Sequence, residues 1–362
     1  MILVTGGTGL VGSHLLWHLT KRGEKVRAIR RPGSDLDQVR EVFGFYDDAF
    51  AEKNGVVPSD SESDTGGAES QSPDKLFSAI EWFTADMLDL FSLDEAMQGI
   101  THVYHCAALV SFNPVERKQL IKSNIESTAN IVNLCNEHNI KKLCHVSSVS
   151  ALGSPPEGGE VTEDNIWKPS KRRSGYSISK FQSEMEVWRG MEEGLSAVIV
   201  NPSVILGPGN WQRGSAKFFT TIQKGIKYYT TGMTGFVDVR DVCRCMIKLM
   251  ESGISGERFI LNSQDLYYRD LFNMIADALD KPRPMIHATR RLAEIGWRLE
   301  WVRSRLTFTT PLLTRETARS GHGISRFSNQ KIKEATGHEF IPIEKTIEWT
   351  VSGLLKNKNP AT

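Results

Sequence analysis

Tyr176-Ser-Ile-Ser-Lys180 sets a phenol and an ammonium four residues apart, on one face of a helix and about one turn from each other. A free tyrosine titrates near ~10, and a nearby ammonium favours its phenolate. Such a pair suits a group that gives or takes a proton near neutral pH. Tyr-x-x-x-Lys also recurs by chance, so its meaning depends on its surroundings. Glu184, four residues further on, either pairs with Lys180 or is solvated.

A second stretch with chemical content stands at the start of the chain, Thr5-Gly6-Gly7-Thr8-Gly9-Leu10-Val11-Gly12. It follows the apolar run Ile2-Leu3-Val4, which suits a buried parallel strand, and leads into helical spacing over Leu10 to Arg22. Without a Cβ, Gly6 can make the tight turn, Gly9 can let a pyrophosphate approach the backbone, and Gly12 lets helix and strand pack closely. The free N–H groups and positive end of that helix then face the phosphates. A flexible turn is the plain alternative; the flanking strand and helix favour a dinucleotide loop.

Further elements must bring these two stretches together. Lys25 to Ile29, Ile80 to Phe83, His102 to Ala107, Lys142 to Val146, Ser196 to Val200 and Arg258 to Leu261 read as strands. Helical patterns cover Leu93 to Met97, Lys118 to His138 and Ser174 to Glu192, and Gly235 to Asp241 with the helix to Met250 reads as a return to the sheet. Alternating strands and helices predict an α/β, Rossmann-type doubly wound parallel sheet, with ligands outside the carboxyl ends of the strands. The residue about twenty positions past the glycines meets the adenine ribose in such folds. Here it is Arg30, with Arg31 beside it, and an arginine's planar fork suits the 2′-phosphate of NADP where an acid would suit NAD. Two solvated arginines at a strand end are the alternative. Cys106-Ala107-Ala108 at another strand end suits either close passage of a cofactor or packing alone.

Bulk properties are ordinary. The chain has 362 residues, 40% hydrophobic and 24% charged, with 44 basic against 43 acidic side chains, so no global field recruits nucleic acid or a membrane. Five cysteines, at 106, 135, 144, 243 and 245, follow no disulfide or zinc spacing; Cys243 and Cys245 should point to different sides of their helix. Reduced thiols in the cytoplasm, with no metal, are expected. Met1 opens directly into the first strand, so no signal peptide is expected, and no apolar run nears the ~18 residues of a membrane span. Asp47 to Asp74 is acidic, Ser- and Gly-rich and nearly free of apolar residues, which reads as a mobile insertion. Arg290 to Arg319 is basic, with Trp297 and Trp301 at helical spacing; an amphipathic helix packed over the substrate is expected there rather than one docked on a membrane surface.

Taken together, these residues resemble the extended short-chain dehydrogenase/reductase family. The glycine stretch, Asp86, Cys106-Ala-Ala108, Asn124, Ser147-Ser148, Tyr176-x-x-x-Lys180 and Asn201-Pro202 occur in family order along nearly the whole chain. The resemblance implies that Ser148 hydrogen-bonds the substrate oxygen, that Tyr176 is the acid/base, and that Lys180 binds the nicotinamide ribose and lowers the tyrosine pKa. Ser148 is chosen for its distance to Gly153, and Ser147 and Ser150 stay open. Asn124 matches a helical asparagine that supports the site, though an ordinary helix residue fits equally. Asp86 and Met87 match the adenine-contacting turn, and Pro202, Ser203 and Val204 the segment beside the nicotinamide.

Within the family, nucleotide-sugar epimerases and dehydratases usually carry an acid where this chain has Arg30, and tend to carry a phosphate-binding arginine where it has Thr234. Asn201-Pro-Ser-Val-Ile-Leu-Gly-Pro208 looks more like dihydroflavonol 4-reductases and 3β-hydroxysteroid dehydrogenases. An NADP-dependent oxidoreductase of a bulky, uncharged ketone, aldehyde or alcohol is therefore expected. The rivals are a nucleotide-sugar epimerase or dehydratase with tightly held NAD, and a cofactor-binding regulator without turnover. Residues 1–206 and 236–262 are expected to form the dinucleotide-binding domain, and 207–235 and 263–362 a smaller, discontinuous substrate-binding subdomain. The family also implies a homodimer, through Lys118–His138 and Ser174–Glu192.

Overall fold

The structure is a computed structural model and describes residues 1–46, 72–111, 113, 115–155, 158–170, 173–307 and 315–356. Most of the expected insertion, 47–71, lies outside them. Its last three expected residues are ordered: Ser72 caps a short helix, Pro73–Ser78, by accepting the Lys75 N–H.

The chain runs β1 (Ile2–Thr5), α1 (Leu10–Lys21), β2 (Val26–Arg30), α2 (Asp37–Gly44), α3 (Pro73–Ser78), β3 (Glu81–Thr84), α4 (Leu90–Met97), β4 (His102–His105), α5 (Arg117–Glu137) and β5 (Lys142–Val146). Then come α6 (Gly175–Glu192), β6 (Ala197–Pro202), β7 (Val204–Leu206), α7 (Ala216–Gln223), β8 (Tyr228–Tyr229), β9 (Met233–Asp238), α8 (Val239–Glu251), β10 (Glu257–Leu261), β11 (Gln264–Tyr267) and α9 (Tyr268–Ala278). Last are β12 (Ile286–His287), α10 (Arg290–Thr307), α11 (Arg315–Ser320), α12 (Gln330–Thr336) and α13 (Ile343–Lys356).

Seven strands form one parallel sheet in the order β10-β6-β5-β4-β1-β2-β3. Every residue of β5 and β6 is buried, because helices cover both faces, and this is why Ala197 to Val200 reads as an apolar run without alternation. One face packs α1, α2, α3 and α8 through residues such as Leu15, Val42, Leu76 and Met246. The other packs α4, α5 and α6 through Leu93, Ile131 and Val187. The order of travel reverses between β1 and β4, which opens a crevice at their carboxyl ends.

Gly235–Asp241 does not rejoin this sheet. β9 pairs with β7 in parallel and with β11 antiparallel, as a separate three-stranded sheet over a third apolar cluster with α7, α9 and α13. Its pattern of one polar and several apolar residues fits either sheet, and the pairing with Val204–Leu206 is non-local, so sequence periodicity could not place it. Only the following helix, α8, returns to the main sheet; it is enclosed on nearly every side, and Cys243 and Cys245 are both fully buried.

Buried polar residues tie the two sheets together. Asp238 caps α8 and holds Arg240 through two hydrogen bonds at 3.0 and 2.7 Å, with the guanidinium 3.9 Å above the Trp349 ring of α13. His14 of α1 donates from Nε2 to the Pro208 carbonyl at 2.8 Å, so its Nδ1 accepts from the Tyr46 hydroxyl at 2.6 Å. Burial holds this imidazole neutral, with its pKa lowered to about 4. An unfolded histidine takes up its proton near ~6.5, so stability falls as pH drops from there through the folded value. His14 alone is expected to cost roughly 3 kcal/mol at the lower end. Melting temperature followed from about pH 7 to about pH 4.5 should fall, and the slope should be shallower in His14→Gln; an equal slope in both would remove His14 from the effect.

Candidate active site

The glycine turn is fixed by its own backbone. Gly6 has φ 69°, and a Cβ there would stand 2.7 Å from the Ala107 nitrogen at the end of β4. A Cβ at Gly12 would lie 2.1 Å from the Gly6 carbonyl oxygen, so Gly12 lets the helix close on the turn itself. Gly9 differs: an added Cβ would touch only the Gly6 oxygen, at 3.2 Å, leaving the outer side open. It starts α1 with no side-chain cap and no acidic residue in the first turn. Ser13 is the first residue to donate within the helix, to the Gly9 carbonyl at 2.9 Å. The N–H groups of Leu10, Val11 and Gly12 therefore lack intrahelical acceptors and form a cradle suited to a phosphate. A dinucleotide fits this turn.

Thr5, at the end of β1, begins a hydrogen-bond relay across the sheet. Its hydroxyl accepts from the Ala107 N–H at 3.2 Å and meets His105 Nδ1 at 2.7 Å. His105 Nε2 meets the Thr128 hydroxyl at 3.2 Å, and Thr128 donates to the Asn124 carbonyl at 2.9 Å. Both threonine hydrogens are thereby assigned, and the imidazole is neutral, its pKa lowered to about 3 by burial. Asn124 in turn grips the loop after β4, accepting the Leu109 N–H at 2.8 Å and donating to the Leu109 carbonyl at 3.0 Å. Its amide also donates to Ser179 of α6 at 3.2 Å. Asn124 thus joins three elements.

At the other side of β1, Arg30 ends β2 and its Nε donates to the Thr84 hydroxyl of β3 at 3.3 Å. Arg31 follows, exposed, its N–H on the Ser34 hydroxyl at 3.1 Å. Asp86 lies just beyond β3 and accepts the Leu88 N–H at 2.9 Å, while Met87 packs on the core and receives the Asn130 amide on its carbonyl at 3.0 Å. Cys106, Ala107 and Ala108 leave β4 two residues earlier than the apolar run suggests. Burial pushes the Cys106 thiol up to about 12, against the pull of Lys180 nearby.

Tyr176 lies in the first turn of α6, behind the Ser174 cap, which accepts the Ser177 N–H at 2.9 Å. Ser148 lies two residues beyond β5 and caps the 3-10 turn Val149–Ala151 by accepting the Ser150 N–H at 3.2 Å. The Ser148 hydroxyl hydrogen-bonds the half-buried Tyr176 phenol. Burial raises the phenol's pKa, and the Ser148 bond partly offsets this. Lys180, one turn on, is buried, which lowers its pKa to about 8, and its Nζ donates to the Val146 carbonyl at 2.8 Å. In this structure the Lys180 ammonium is turned to the end of β5. Beyond β6, which ends at Pro202, the Ser203 N–H donates to Leu261 at 3.0 Å and Val204 opens β7.

Glu184 neither pairs with Lys180 nor meets solvent. It is buried and accepts four donors: Ser147 Oγ at 2.6 Å, Asn201 Nδ2 at 2.8 Å, Arg258 at 2.9 Å and Trp188 Nε1 at 3.3 Å. Asn201 also donates to the Ser148 carbonyl at 3.1 Å. One carboxylate therefore fastens the helix that carries Tyr176 and Lys180 to the ends of β5 and β6 and to β10. Ser147 is spent on Glu184, Ser150 gives its N–H to Ser148 and accepts Ser177 on its carbonyl, and it is Ser148 that hydrogen-bonds the phenol. Sequence reading misses this role of Glu184, and Arg258 altogether. The usable signal is Arg258 itself, a charge inside a strand of the main sheet, which needs a buried partner.

Comparison with known proteins extends over the same elements. The sequence model described as the NAD dependent epimerase/dehydratase family matches residues 2–261, from β1 through β10. The chain is 27% identical over 296 residues to sterol demethylase protein B of Methylococcus capsulatus, covering 81% of this chain and 78% of the relative. It is 27% identical over 290 residues to a putative dihydroflavonol 4-reductase of Synechocystis sp., covering 78% and 73%. Its fold is similar to that of the UDP-glucose 4-epimerase of Thermus thermophilus, solved as a complex with NAD, at 20% identity and a TM-score of 0.70 over 98% of each chain. Among the described residues, no helix is long and apolar enough to cross a membrane.

Removing the Glu184 carboxylate leaves the largely buried Arg258 guanidinium without its counter-charge at 2.9 Å. Glu184→Ala should cost about 3–5 kcal/mol, and Glu184→Gln, which keeps two of the hydrogen bonds, clearly less. Denaturant unfolding of the two variants checks this, and equal, small losses would contradict the assigned network.

Proposed function

Because the chain belongs to the NAD-dependent epimerase/dehydratase family and is an NAD(P)-dependent enzyme of the extended short-chain dehydrogenase/reductase type acting on small molecules, we propose that it is an NADP-dependent reductase. It interconverts a ketone or aldehyde with an alcohol on a bulky, uncharged substrate. The observation that carries this reading is the Tyr176–Ser148 hydrogen bond at the carboxyl edge of the sheet, with Lys180 one turn behind.

When bound, a nicotinamide cofactor would supply the hydride. The residues of the chain supply the rest. Tyr176, its phenol kept protonated by burial, gives its proton to the oxygen that gains charge, and Ser148 hydrogen-bonds that oxygen. Lys180 holds positive charge behind the phenol and binds the ribose. Thr5, Gly6, Gly9, Leu10, Val11 and Gly12 hold the pyrophosphate; Asp86 and Met87 border the adenine. Cys106, Ala107, Ala108, Pro202, Ser203 and Val204 wall the nicotinamide side. Arg30 and Arg31 support the choice of NADP, since the first ends β2 beside Thr84 and the second stands exposed next to it.

Tyr176→Phe should lower kcat by about 100- to 10,000-fold while NADPH affinity, read by fluorescence titration, stays within about twofold; retained turnover would remove Tyr176 from proton transfer. In the reduction direction both Tyr176 and Lys180 must keep their protons. The kcat/KM profile should therefore be flat near neutrality and fall as pH rises past about 8, where Lys180 discharges. Arg30→Ala should weaken NADPH by roughly tenfold and leave NADH unchanged; equal effects on both would place Arg30 away from the 2′-phosphate.

A further inference from the structure

We propose that the outward face of α10 docks the protein on an anionic lipid bilayer. At about 100° per residue, Leu292, Ile295 and Leu299 fall within roughly a 60° arc, and they are 42%, 56% and 66% exposed. On the opposite side Ala293 is buried, and α11 is the element α10 packs against most. The helix is amphipathic, as its sequence indicates, and its leucine and isoleucine face is exposed. Three consecutive turns of exposed branched apolar side chains in line are uncommon on a free surface.

The charges select the occupant. Arg291, Arg298 and Arg305 recur every seven residues and line one border of the apolar strip, and Arg303 stands on the other. Between Arg290 and Arg305 there are five arginines against two glutamates, whereas the whole chain is balanced to +1. Both glutamates are engaged, Glu294 by Arg298 at 2.8 Å and Glu300 by Arg303 at 2.6 Å. Trp301 is half exposed with the Arg305 guanidinium 5.2 Å over its ring, an amphipathic arrangement suited to the headgroup layer. An apolar strip on a convex helix, bordered by arginine and edged by tryptophan, has the make-up of a helix lying in the plane of a membrane surface. A second copy meeting this face across a two-fold axis would set arginine against arginine in either helix direction. Met285 and Ile286, just before the helix, are also exposed.

The test uses the full chain and flotation with vesicles of phosphatidylcholine containing about a third phosphatidylglycerol, beside vesicles of phosphatidylcholine alone. The wild type should float with the anionic vesicles only and be released by about 0.5 M salt. Ile295→Glu/Leu299→Glu and, separately, Arg291→Glu should reduce flotation by about tenfold or more. Phe91→Glu, which alters an 87% exposed aromatic elsewhere, should not. Light scattering should show one and the same mass for all variants. Absence of wild-type flotation, equal flotation of the α10 variants, or a smaller mass for them would each overturn the proposal.

Discussion

The position of the Tyr176 helix depends on a single buried carboxylate. Glu184 draws a hydroxyl from β5, an amide from β6, a guanidinium from β10 and an indole from its own helix. A charge removed from water is tolerated only when its lone pairs are filled and a counter-charge is near, and here both conditions are met. The consequence is directional. Any sliding or rolling of α6 would break several of these bonds together, so Tyr176, two turns upstream, is held at one height above the strand ends. Arg258 extends the same lock outward, since its Nε donates to the Glu163 carbonyl at 2.9 Å, and Glu163 itself accepts the Ile260 N–H at 2.7 Å.

A second polar chain does the same for the opposite wall of the crevice. Ala107, Thr5, His105, Thr128 and Asn124 are connected in sequence, and Asn124 closes the chain on α6 through Ser179. The glycine turn rests on this wall, because the Ala107 backbone passes so close to Gly6 that a side chain there has no room. Loop, sheet edge and helix are therefore one rigid assembly, as a reaction sensitive to small displacements requires. His105 serves it as a neutral hydrogen-bonding bridge, which burial enforces.

Much of this is legible in the sequence. Leu3-Val4 and Ala197 to Val200 are apolar without alternation because both faces of their strands are covered, and the Tyr176–Lys180 spacing maps directly onto one face of α6. Local patterns cannot reveal what depends on contacts distant in sequence. Glu184 and Arg258 are 74 positions apart; Arg258 inside a strand signals that a partner is needed, but nothing local says that the partner is Glu184. β9 carries the same apolar signature whether it joins the large sheet or pairs with Val204–Leu206. α10 has an amphipathic pattern whose period says that one face is apolar, but not whether that face turns inward. Helices α2 and α13 each bury residues on one side, and their start signals are brief: Asp35, whose carboxylate accepts the Asp37 N–H, and Pro342, which directly precedes Ile343.

Hydride delivery to a carbonyl carbon over the Ser148–Tyr176 pair is the claim on which the functional reading stands. Its most direct measurement is isotopic: NADPH carrying deuterium at nicotinamide C4 is turned over with a ketone substrate, and the product alcohol is examined by mass spectrometry and NMR. One deuterium on the carbinol carbon of each product molecule, from one face of the nicotinamide only, is the predicted result. Deuterium that stays on the cofactor while the substrate is merely epimerised or dehydrated would contradict it.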